Sequence, residues 1–134
     1  MELHAHGLHL RLELSEPCEE GWFTCRVEAE VPGFSGLIYC WLFSADLAAF
    51  RSELQSMLCN VGRPCSASLP ETEPGLSLQL NMLDRGHIEG RYRLQNFDAP
   101  GSPTLSGSFE MDQTYLEPLL AAIERALQVQ RTVP

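Results

Sequence analysis

Three histidines, His4, His6 and His9, stand close together near the start of the chain in MELHAHGLHLRLEL. Side chains two apart on a strand share a face, so His4 and His6 are placed to reach one ion together, and His9 joins them if the strand slips by one residue. A working zinc site normally draws ligands from separate elements and orients each with an outer partner. No H-E-x-x-H and no paired cysteines accompany these histidines, and no carboxylate or thiolate is expected to reach them from elsewhere. They read as outward strand residues, and no metal is assigned.

The remaining candidates for chemistry are weaker. His87, Glu89, Arg91 and Arg93 share one face of a strand and read as a cross-strand ladder of ion pairs. The five cysteines, Cys18, Cys25, Cys40, Cys59 and Cys65, form no C-x-x-C, and their odd number fits reduced thiols better than a disulfide framework. Cys25 and Cys40 fall at apolar positions and read as buried. Cys59 and Cys65 lie near a helix end and a loop. Gly33-Phe34-Ser35-Gly36 lacks the spacing of a nucleophile elbow, and no glycine-rich phosphate loop is present. No catalytic residue is assigned and no cofactor is expected.

Carboxylates carry the strongest signal. The formal charge is −9, and all 9 basic residues are arginine. Such a chain repels phosphate backbones, so nucleic acid is not the expected partner. It associates readily with basic surfaces instead. Glu13, Glu16, Glu19, Glu20, Glu28 and Glu30 crowd the first quarter, opposed there only by Arg11 and Arg26. Glu28 and Glu30 share a strand face with Trp22. An aromatic ringed by acids anchors a cationic protein well, so Glu13, Trp22, Glu28 and Glu30 are the candidate partner-binding residues.

The elements that must position these groups follow from hydrophobic periodicity. Leu8, Leu10, Leu12 and Leu14 share one parity and read as a strand with one buried face. Leu3 and Ala5 have the opposite parity, and a bulge at Gly7 would restore the phase. His4, His6, His9, Arg11 and Glu13 then all point outward. WFTCRVEAEV alternates, with Phe23, Cys25, Val27, Ala29 and Val31 inward. PGFSG reads as a turn. LIYCWLF is apolar throughout and is expected to be covered on both faces. SADLAAFRSELQSMLCNVG is a helix with Ser44 as N-cap, a stripe of Leu47, Phe50, Leu54, Met57 and Leu58, and Gly62 as its stop.

PCSASLP, LSLQLNML, HIEGRYRLQNF and LSGSFEM supply further strands, the middle two joined by a hairpin loop at Asp84-Arg85-Gly86. The last helix carries Leu116, Leu119, Leu120, Ile123 and Leu127 on one stripe. Thr114 and Glu117 fit a capping box there, with Asp112 as a rival cap. The expected fold is α+β: a mostly antiparallel sheet of six to seven strands with two helices packed on it, in the order βββα-βββ(β)-α. The 134 residues are read as a single domain. The halves look loosely alike, without a repeated residue pattern. No apolar run approaches the ~18 residues of a membrane span, and no secretory leader is visible, so a cytoplasmic protein is expected.

Four stretches carry a family likeness. An apolar strand runs into S-A-D-L-x-x-F-x-x-x-L. L-S-L-Q-L, R-G-H-I-E-G-R-Y-R-L and L-S-G-S-F-E-M-D-Q-T-Y-L-x-x-L follow. Over residues 36–127 the chain resembles the small bacterial immunity proteins of the WapI type, from contact-dependent toxin systems. The resemblance implies a non-enzymatic protein that binds and neutralises a cognate toxin domain. It supplies no catalytic residue. Joined to the charge, it points to a basic partner, a toxin nuclease domain above all, and to neither nucleic acid nor membrane. Two other readings stay open: a small α+β ligand-binding or enzymatic domain, and an oligomerising structural subunit. The sequence leaves the oligomeric state undetermined.

Overall fold

A computed structural model describes residues 1–15, 20–61, 63–69, 75–97 and 99–132. Cys18, the acidic residues Glu16 and Glu19, and the helix stop at Gly62 lie outside the described residues. The chain folds as two antiparallel four-stranded meanders, each followed by a helix. The first contains β1 (Glu2–Ala5), β2 (Leu8–Leu14), β3 (Trp22–Val31) and β4 (Phe34–Phe43), and leads into α1 (Ser44–Cys59). The second contains β5 (Cys65–Leu69), β6 (Leu76–Met82), β7 (His87–Gln95) and β8 (Thr104–Asp112), and leads into α2 (Leu116–Thr132). In each sheet the strands lie in chain order. The α+β class and the antiparallel pairing are as expected. The strands number eight rather than six to seven and divide between two sheets.

The additional strand comes from the first fourteen residues. Leu3 and Leu8 are both buried despite opposite parity because the chain reverses between them. Ala5 pairs with Leu8 and His4 with His9, leaving His6 and Gly7 as a two-residue turn. Gly7 has φ +96°, which side-chain-bearing residues rarely adopt. The parity slip therefore marks a hairpin, not a bulge within one strand. A second tight turn joins β3 to β4. Pro32 and Gly33 (φ +85°) occupy it, an order that suits a turn needing a left-handed third residue. β4 accordingly begins at Phe34, inside the stretch expected to be loop.

Phe43 rather than Ser44 occupies the N-cap position of α1. Leu47, Phe50, Leu54 and Met57 are buried along its stripe as expected. A short 3₁₀ turn, Gln113–Tyr115, precedes α2, and the Asp112 carboxylate accepts a hydrogen bond from the Thr114 amide at 3.0 Å. Asp112 thus caps the turn that leads into α2. Leu116, Leu119, Ile123 and Leu127 are buried. The inner faces of both sheets and the stripes of both helices merge into one continuous apolar cluster. The sheets also touch through their backbones: the His6 amide donates to the Glu110 carbonyl at 2.7 Å, and the Glu110 amide returns the bond at 3.0 Å.

Candidate functional site

The outer face of the first sheet carries the candidate site. Phe23, Cys25, Val27 and Ala29 point into the core, so Trp22, Thr24, Arg26, Glu28 and Glu30 point away from it. β4 alternates in step. Ile38, Cys40 and Leu42 are buried, while Leu37, Tyr39 and Trp41 remain 46%, 66% and 51% exposed. This corrects the expectation that LIYCWLF is covered on both faces. A strand with no polar residue gives no sign of which face meets solvent, and only its registry with β3 decides it. Thr24 pairs with Trp41, Arg26 with Tyr39 and Glu28 with Leu37. An apolar and aromatic stripe on β4 therefore runs beside a charged row on β3.

All four residues singled out from the sequence lie on this face. Glu13 projects from β2 opposite Arg26, at 3.8 Å from its guanidinium. Glu28 pairs closely with Arg26 and reaches Arg11 at 3.9 Å. Glu30 is exposed, in one row with His9 and Ser35. Trp22 is only half-buried, its ring 4.8 Å from that of Phe43, and it ends the aromatic stripe rather than standing among the carboxylates. The Tyr39 hydroxyl and the Glu28 carboxylate hold Arg26 firmly in its charged form. Exposed pairs of this kind contribute little to stability. Their effect is positional: they fix an array in which Glu2, Glu13, Glu28 and Glu30 outweigh Arg11 and Arg26.

Leu37, Tyr39 and Trp41, expected only as part of a strand covered on both faces, are the members of the site that sequence reasoning missed. Their shared parity, opposite to Ile38, Cys40 and Leu42, was the available signal. It becomes readable once only one side of β4 is known to face a core.

The histidines separate. His6 lies in the turn and bonds through its backbone to β8. His4 and His9 face each other across β1 and β2 with rings stacked at 4.2 Å. The Glu2 carboxylate approaches both, its Oε2 2.8 Å from His4 Nε2 and 3.7 Å from His9 Nε2. This carboxylate comes from the histidines' own hairpin, because Glu2 precedes His4 by one strand repeat on the same face. The His4 hydrogen bond, aided by the Arg11 guanidinium, holds the Glu2 carboxyl below the usual carboxylate range.

The outer face of the second sheet differs. Gln79, Asn81, Glu89, Arg91, Ser108 and Glu110 line a polar depression of about 530 Å³ there. His87 lies 3.8 Å from Glu110, but Glu89 faces Glu110 and Arg91 faces Ser108 across the strands, so the register does not form the expected ladder of opposite charges. Cys25 and Cys40 are buried opposite one another in β3 and β4, and Cys59 is exposed. Their shared hydrogen bond, reinforced by burial, pushes the Cys25 thiol far above its ordinary range, which keeps it protonated.

Two sheets in chain order, each followed by a helix, place the chain in a defined α+β class. The solved structure of the plant transcriptional regulator PBF-2 has this fold: the two superpose with a TM-score of 0.52 at 10% identity, over 98% of this chain and 81% of that one. No curated protein matches the chain. The chain belongs to the immunity protein WapI-like family, which it matches over residues 2–130. The match takes in the N-terminal hairpin and the acidic strands, which the resemblance read from residues 36–127 did not reach.

Proposed function

We propose that this chain is a non-enzymatic immunity protein that binds and neutralises a cognate toxin domain through the outer face of its first sheet. The observation that carries this reading is the exposure of Leu37, Tyr39 and Trp41 beside Glu13, Glu28 and Glu30. Apolar and aromatic groups supply most of the affinity at protein interfaces, and surrounding charge selects the partner and speeds encounter. A toxin domain that cuts nucleic acid must be basic where it grips phosphate. An acidic surface with an aromatic centre competes for that groove. A second copy of this chain is the poorer occupant, because pairing two such faces brings like charges together.

Family membership supports the immunity role, and the charge supports a basic, nuclease-type toxin. The test is growth rescue. The toxin domain encoded beside this gene is expressed with the wild-type chain or with the Tyr39→Ala/Trp41→Ala variant. Wild type is expected to restore growth and to co-purify with the toxin, and the variant to do neither while still folding. Full rescue by the variant would remove the face from the binding surface.

A further inference from the structure

We propose that Glu2, His4 and His9 form a binding site for a divalent transition-metal ion, zinc foremost, that clips the N-terminal edge strand to its neighbour. The site does not depend on the immunity reading. Its geometry follows from the hairpin. The Met1 amino group donates to the Leu12 carbonyl at 3.0 Å, and the Leu12 amide to the Met1 carbonyl at 2.8 Å. These two residues thus exchange both ladder bonds. In an antiparallel pair such positions alternate with non-hydrogen-bonded ones, where opposing side chains approach more closely. Glu2–Arg11 and His4–His9 fall at these closer positions, on the outer face.

The donor atoms of Glu2, His4 and His9 all lie within 4.8 Å of one another. Zinc bonds of ~2.0–2.1 Å at tetrahedral angles would place two donors about 3.3 Å apart. The observed separations, 2.8 Å and 3.7 Å from Glu2 Oε2 to the two imidazole nitrogens, bracket that value. His9 Nε2 is shielded from solvent and has no hydrogen-bond partner among the described residues. A buried polar atom left unpaired calls for an explanation, and an ion within its reach would satisfy it. Arg11 Nε donates to Glu2 Oε1 at 3.1 Å, which turns Oε2 toward the imidazoles. Orientation of a ligand by an outer partner is what distinguishes a built site from a chance cluster. Two imidazoles and a carboxylate are the donors zinc takes in open, three-ligand sites. Glu30, in one row with His4 and His9, is positioned beside it.

The other such group among the described residues, His87, Glu89 and Glu110, offers a single imidazole, and all three residues are exposed.

Calorimetric titration of zinc chloride into untagged, chelator-treated protein is the test, with melting curves recorded alongside. Wild type is expected to saturate at one equivalent and to melt at a higher temperature when loaded. His4→Ala and His9→Ala are each expected to lower affinity about tenfold or more, at least what losing an outer partner costs a metal site. Glu2→Gln should weaken it in the same direction. His6→Ala and His87→Ala are expected to bind as wild type does. A cooperative melting transition without zinc shows that each variant has folded. The proposal is overturned if wild type takes up no zinc at one equivalent. It is equally overturned if both imidazole variants keep wild-type affinity, or if His87→Ala is the change that abolishes binding.

Discussion

The two halves share one plan, four strands and a helix, yet they turn very different surfaces to solvent. Behind both sheets lie leucines, a few other aliphatics and aromatics in one cluster. In front of the first stand Leu37, Tyr39 and Trp41 with an excess of carboxylates. In front of the second stand Ser66, Ser68, Gln79, Ser106 and Ser108, with Glu89 and Glu110 roughly balanced by Arg91 and Arg93. The core face of a sheet is constrained by packing, whereas its outer face is free to vary without cost to the fold. Large apolar side chains held in water on only one of two equivalent faces therefore mark that face for a partner.

Breaking the shared interior should give the largest effects. Leu54→Ala in α1 and Leu119→Ala in α2 each remove a buried side chain from the common cluster, at an expected cost of about 2–5 kcal/mol. Urea denaturation should show a single transition for both, shifted to a similar extent. A Leu119→Ala midpoint equal to that of wild type would mean that the second helix adds nothing to the shared core.

The next effects are on binding and should separate the two outer faces. Trp41→Ala is expected to cost about 2 kcal/mol or more in toxin affinity, the range of an interface hot spot, with no comparable loss of stability. An equal loss from Arg91→Ala on the second sheet would erase the distinction between the faces. Charge comes third. Glu28→Lys/Glu30→Lys should slow association and flatten its dependence on salt, because opposite-charge steering acts on encounter. Arg91→Glu/Arg93→Glu should leave the rate nearly unaltered. Stopped-flow association at two salt concentrations checks both.

The smallest effect expected is that of Glu2→Gln in chelator-treated protein. The folded state holds the Glu2 carboxyl below its ordinary range, mainly through His4 and then Arg11. Its stabilisation is therefore present above the unfolded carboxylate range and is lost as pH falls through the lowered folded value. Denaturation midpoints of wild type and variant should differ slightly near neutrality and coincide in strong acid. A gap that widens in acid would contradict this assignment.

What the sequence settled by itself was local. Alternation in WFTCRVEAEV and LSLQLNML placed the strands, and the stripes Leu47–Phe50–Leu54 and Leu116–Leu119–Ile123 placed the helices, because a period of two or of 3.6 residues needs no knowledge of distant chain. The outward aim of Glu13, Glu28 and Glu30 came the same way. Tertiary structure decided the rest. The hairpin at His6-Gly7 produces the same shift in parity as a bulge, and only the pairing of Ala5 with Leu8 separates the two. The exposure of Leu37, Tyr39 and Trp41 was hidden in a run with no polar residue to mark its wet side. His9 could not be placed opposite His4, within reach of Glu2, until β1 folded back on β2. Each of these depends on which strand lies beside which, a contact between residues separated in the chain, and periodicity along one strand carries no information about its neighbour.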